Sequence, residues 1–145
     1  MTTVKIEGLD ELKQAFNDLP REFHRVALRP GVMAAAQVVQ KAAKASAPKD
    51  TGVLVRSIYR TRDKANSNQV QEAAMVGVRS GKRYKKKKQD AYYWRFVEFG
   101  TKFLPARPFL RPAAESTKSQ QLAAMVEKLK VGMEKAVAKA RSKYK

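Results

Sequence analysis

Cysteine is absent from the 145-residue chain, which excludes disulfides and thiolate metal sites and suits folding in a reducing cytoplasm. No run of about 18 apolar residues occurs, so no segment reads as a membrane-spanning helix. Met1 to Asp10 also lacks the apolar stretch of a secretory signal, so synthesis and folding in the cytoplasm are expected. Histidine occurs once, as His24 between Phe23 and Arg25 on a helical stretch. A lone histidine is more often a surface or core residue than a catalyst. No carboxylate pair stands in an acid–base motif. H-E-x-x-H, P-loop and G-x-G-x-x-G patterns are missing, and Ser57 and Ser80 lack a nucleophile elbow. The chain is therefore expected to be no enzyme and to use neither cofactor nor metal. Negative charge is scarce too. Thirteen acidic residues face 31 basic ones, a formal net charge of +18. Such a chain repels its own copies and attracts nucleic acid, an anionic membrane surface or acidic proteins.

Hydrophobic residues make up 43% of the chain, enough for one packed domain over residues 1–145. Val4-Lys5-Ile6 alternates and ends at Gly8, which reads as a short strand. Leu9, Leu12, Phe16 and Leu19 recur at helical spacing up to Pro20, and a second helical stretch starts near Arg21. From about Pro30 to Ser46 the spacing predicts a helix with Pro30 in its first turn. Its stripe of Val32, Ala35, Ala36, Val39, Ala42 and Ala43 is slim enough to admit a close neighbour. Pro48 to Gly52 is a turn. Val53 to Arg62 reads as a strand, and residues 70–78 as a second one, antiparallel to it through a long hairpin loop. Leu122, Met125, Val126, Leu129, Met133, Ala136, Val137 and Ala140 follow the helical repeat. They mark a C-terminal helix over about 113–143, with Gly132 inside it at a cost of ~1 kcal/mol relative to alanine. The fold class expected is α+β: a small antiparallel sheet packed with the early alanine-rich helix and the long C-terminal helix.

Between these elements lie two unusual stretches. Arg79 to Lys88 holds seven basic residues in ten and no acidic one. Self-repulsion on that scale predicts a solvated, mobile loop over residues 79–90. Its Lys82, Arg83, Lys85, Lys86, Lys87 and Lys88 read either as a plain solubilising run or as a contact for phosphate or an acidic partner. Tyr92 to Phe99 then carries five aromatics, compatible with a helical turn or a strand. Three prolines fall between Pro105 and Pro112 and force an extended or turning connection. The aromatics read as core, or in part as an interface anchored by Trp94 and Phe99. A rigid arm of Phe103, Leu104, Pro105, Arg107, Pro108, Phe109 and Leu110 reads as its continuation or as an internal linker.

In this order the features resemble the minor structural proteins at the head–tail junction of long-tailed phages, known as neck, connector or tail-completion proteins. The resemblance rests on GLDEL at Gly8 to Leu12 and on Ala47, Pro48, Thr51, Gly52, Leu54, Ser57 and Ile58 in an AP-x-x-TG-x-L-x-x-SI pattern. VEFGT at Val97 to Thr101 and PARPFLRPA at Pro105 to Ala113 complete it. The basic insertion at residues 79–88 departs from the family pattern. The resemblance implies a non-enzymatic virion protein, made in the host cytoplasm. It implies docking onto other neck and tail proteins, and assembly into a homo-oligomeric ring around the DNA passage from a monomer. A hexamer is the favoured count and a dodecamer the alternative.

Six chains of +18 carry about +108. A compact chain of this length is about 38 Å across. A duplex threading it, at one phosphate per ~1.7 Å, presents about 22 negative charges. DNA in the pore therefore offsets a minor share of the charge, which points most of the basic surface at acidic neighbours or solvent. The competing reading is a basic nucleic-acid-binding protein without sequence specificity, for which the PARPFLRPA arm has no use.

Overall fold

The computed structural model describes residues 21–68 and 71–143. The strand expected at Val4–Ile6 and the helix expected at Leu9–Leu19 lie outside them. The described residues form a mixed α+β fold. Among the described residues a helical path runs from residue 21, passes through a π-helical stretch, His24–Leu28, and continues as α1, Arg29–Ser46. Pro30 thus sits inside a continuous helix rather than at a free start. The wide turn accommodates it: Arg29 N–H bonds to the His24 carbonyl, five residues back. A π turn of this kind loosens the ladder where a proline ring would otherwise crowd the preceding turn. Ala47 leaves the helix in an extended conformation, as the residue before Pro48 must.

The expected strand over residues 53–62 divides in two. Val53–Ser57 forms a helical turn, α2, and only Ile58–Arg62 is strand, β1. Gly52, at φ 72°, reverses the chain and starts the turn. Leu54, Ser57 and Ile58 are all buried, at helical spacing, and that spacing outweighs the β-branched composition. Ser57 seals the junction, its Oγ lying 2.7 Å from both the Val53 and Gln89 carbonyl oxygens. The second strand, β2, spans Ala74–Val78 and pairs antiparallel with β1 from Ile58↔Val78 to Arg62↔Ala74. A two-stranded ribbon is marginal alone. Here it lies on α1, where the Gln40 side-chain amide donates to the Ile58 carbonyl at 3.1 Å.

After β2 come α3, Lys82–Lys85, and α4, Trp94–Phe99. They are followed by α5, Leu110–Ser116, and α6, Lys118–Lys143. The C-terminal helix expected from about residue 113 is thus two helices separated at Thr117, whose hydroxyl turns back onto the Ala113 carbonyl at 2.6 Å. The core gathers Ala43, Ala47, Leu54, Ile58, Val78, Ala91, Phe109 and Ala113. Phe109 is its largest member and is fully buried.

A second packing unit is made where α6 crosses the helix over residues 21–46. Gly31 faces Leu129, and Gly132 lies against Ala27 and Val26. Glu22 Oε2 and Lys139 Nζ, 2.9 Å apart, close the far end and set the two helices antiparallel. Ala27, Gly31 and Gly132 allow this closeness, because a larger side chain on either helix would hold the backbones apart. Two residues of α6, Gly132 and Ala136, are buried. Leu122, Val126, Met133 and Val137 remain exposed along a neighbouring face.

Candidate functional site

The proline-rich segment is a strap tied down at both ends. Helix α4 stops at Gly100, where φ 74° and ψ 179° are open to glycine alone. Thr101 then turns the chain. Its N–H donates to the Leu104 carbonyl at 2.9 Å, and its Oγ1 accepts from the amides of Phe103 and Leu104. Arg107 N–H returns to the Val97 carbonyl at 2.8 Å. Glu98, buried on α4, accepts three backbone N–H groups: Phe109 at 2.8 Å, Leu110 at 3.0 Å and Arg111 at 3.0 Å. These open α5, so the Glu98 carboxylate acts as a distant cap on otherwise unpaired donors. Burial pushes its pKa up, but the three amides and the Arg111 charge outweigh that and hold it below the ordinary carboxylate value. Glu98 therefore locks the VEFGT turn to the PARPFLRPA strap. Sequence reasoning passed over it; the signal was one acid placed among five aromatics.

All of residues 101–108 are exposed, although their ends are anchored. Phe103 is 86% exposed and Leu104 63%, far above what a core residue would show. Pro105, Arg107 and Pro108 are exposed beside them. Phe99 and Phe96 add apolar surface from α4, and Tyr92 from the residues before it. Three expected interface residues are placed elsewhere. Phe109 fills the core, because the Glu98 bond draws its backbone inward, and Leu110 packs partly against the same cluster. Trp94 is half-buried on the core, with the Arg95 guanidinium 5.5 Å from its ring centroid. The aromatic run is thus a helix that divides between core and surface, rather than an alternating strand.

Gly100→Ala is expected to loosen this strap. A Cβ there would stand 2.8 Å from Ala106 N and 3.0 Å from the Leu104 carbonyl oxygen, in a backbone conformation that costs a non-glycine residue about 1–3 kcal/mol. Limited proteolysis should cut residues 101–108 faster in the variant, with a lowered melting temperature. Unchanged cleavage would contradict the anchoring.

The basic stretch is a closed excursion with a helical turn in it. Gly81 N–H donates to Asp90 Oδ1 at 2.7 Å, and the Arg79 guanidinium to Gln89 Oε1 at 3.1 Å, joining its two ends. Lys82, Arg83, Lys85, Lys86, Lys87 and Lys88 are all exposed on it. The strap and this excursion do not share a hydrogen bond, so the two expected contact regions remain separate features. His24 is buried, its Nε2 3.1 Å from Glu72 Oε2. Among the described residues, no cluster of three or more His, Asp or Glu could hold a metal ion. None of their helices is long and apolar enough to cross a membrane.

Residues 10–100 match the family model described as "Bacteriophage HK97-gp10, putative tail-component". The chain belongs to this family. It is thus a phage tail component and a virion structural protein, which implies a non-enzymatic role beside other virion proteins. The match ends at Gly100, so it includes Glu98 and the turn glycine but not the strap or α6. Searches of curated proteins and of solved structures return no match.

Proposed function

We propose that the chain is a head–tail joining protein that completes the phage neck or tail by assembling as a ring around the DNA passage. A hexamer is the count favoured. The strap carries this reading. An apolar loop exposed along its whole length, yet fixed at both ends, is preorganised for docking and loses little entropy when it does so. Phe103 and Leu104 are its anchors, with Phe99, Pro105, Arg107 and Pro108 around them. Phe109 and Leu110 support it from beneath. Aromatic side chains presented in this way dominate binding energy when they enter a partner's pocket.

Electron microscopy of the purified protein, alone and with tail tubes or connectors, tests the reading. Rings or capped tubes are expected. A monomer that coats DNA and ignores phage partners would replace it with the nucleic-acid-binding alternative. Phe103→Asp combined with Leu104→Asp should abolish capping while leaving the melting temperature within about 2 °C, because neither side chain is buried and surface changes usually stay within ±0.5 kcal/mol. Capping by this variant would remove the strap from the interface.

A further inference from the structure

Four arginines converge on a concave pocket of about 400 Å³ at the start of the long helical path, which Arg21, Arg25, Arg29 and Arg62 line together with His24. One carboxylate, Glu72, is set within this group. Its side chain is buried, and it is chelated by the Arg62 guanidinium through Nε and a terminal nitrogen, with His24 on its second oxygen. Arg29 Nε approaches Glu72 Oε1 only to 4.0 Å. That nitrogen is buried and has no hydrogen-bond partner among the described residues. Glu22 touches Arg25 from the side at 3.5 Å, but shares its charge with Lys139. Among the described residues the pocket therefore holds more guanidinium than carboxylate, and one buried donor of its lining has no acceptor. It is the rest of the Arg29 side chain, which is 42% exposed, that a ligand can reach.

We infer that this pocket binds a carboxylate on an acidic segment of a protein partner. Guanidinium groups match planar oxyanions through paired N–H bonds, and Arg62 already holds Glu72 in that way. The pocket is an open hollow about the size of one side chain, which a flexible Asp or Glu fits, whereas the wide, stiff cylinder of a duplex would rest on its edges. The pocket is also distinct from the lysine-rich excursion. Arg62 and Ala74 pair at one end of the hairpin, and residues 79–90 leave from the other, five strand residues or roughly 15 Å away. The inference deepens the head–tail reading by giving the chemistry of one neighbour, and rests on that reading only for where the neighbour is found.

Fluorescence anisotropy with a labelled oligoglutamate peptide and, separately, a short DNA duplex tests it at fixed salt on the full chain. Arg25→Gln and Arg29→Gln are each expected to weaken peptide binding about tenfold, the size of a lost charge-assisted bond. Arg25 is mostly exposed and outside the Glu72 chelate, so its variant reports on binding even if Arg29→Gln folds poorly. Lys85→Gln combined with Lys86→Gln should change peptide affinity by less than about twofold. Equal weakening by the lysine variant would reduce the effect to net charge and overturn the inference. So would pocket variants that weaken the duplex alone, which would assign the pocket to phosphate, and so would an absence of peptide binding. Failure of the head–tail role would instead appear as absent rings and caps with peptide binding intact.

Discussion

Gly132→Ala is expected to destabilise the protein by about 2 kcal/mol, although by helix propensity alone it should gain ~1 kcal/mol. The added Cβ would lie 2.4 Å from Ala27 Cα, 2.6 Å from Ala27 Cβ and 2.7 Å from the Val26 carbonyl oxygen. Two of these three atoms are backbone, so no rotamer change relieves the contact. The helices must separate, and overpacking of this kind costs about 1–3 kcal/mol or more. With the obstacle in the main chain, the upper end applies and exceeds the propensity gain. Urea unfolding should show the midpoint falling, with a melting temperature about 4–8 °C lower. Adding Ala27→Gly should recover only part of the loss, since the Ala27 Cα and Val26 oxygen remain. A more stable Gly132→Ala variant would mean that the two helices do not cross this closely in solution.

Glu98→Gln should cost about 3 kcal/mol and free the strap. Glutamine offers one acceptor oxygen where the carboxylate offers two. The amide nitrogen would then face at least one of the three backbone donors now satisfied by Glu98. Each lost charge-assisted bond is worth about 1.5–3 kcal/mol, and a stranded buried N–H adds to it. The pH dependence gives a second signature. A carboxyl whose folded pKa is lowered binds its proton less readily in the folded state than in the unfolded chain. Its contribution is complete above the unfolded value of about 4.3 and is lost as pH falls through the lowered folded value. The melting temperatures of the parent and Glu98→Gln should therefore differ most near neutrality and converge in acid. A gap that persists unchanged below that range would mean that the charge of Glu98 is not what holds the strap.

The α+β class, the alanine-rich helix and the two antiparallel strands were legible because hydrophobic period and turn residues act locally. The helical turn at Val53–Ser57 was obscured by its composition. Valine and isoleucine suggested a strand, while the burial of Leu54, Ser57 and Ile58 followed the helical period. In the candidate site Phe103 and Leu104 are exposed, whereas Phe109 reads identically in sequence and turns inward. What separates them is the Glu98 carboxylate, eleven residues from Phe109 along the chain. A contact across that separation leaves no periodic trace.

The lack of cysteine, the single histidine and the +18 charge are properties of the sequence alone, and so is what they imply about disulfides, catalytic motifs and the sign of any partner. The tie between the VEFGT turn and the strap required the tertiary structure, because it depends on one carboxylate reaching three distant amides. Gly132 changed meaning for the same reason. In sequence it is a weak point in a helix; in the fold it is where two helices touch. The arginine pocket was decided by folding too. His24, Arg62 and Glu72 are scattered along the chain, and only the packing of the hairpin against the first helix brings these side chains together.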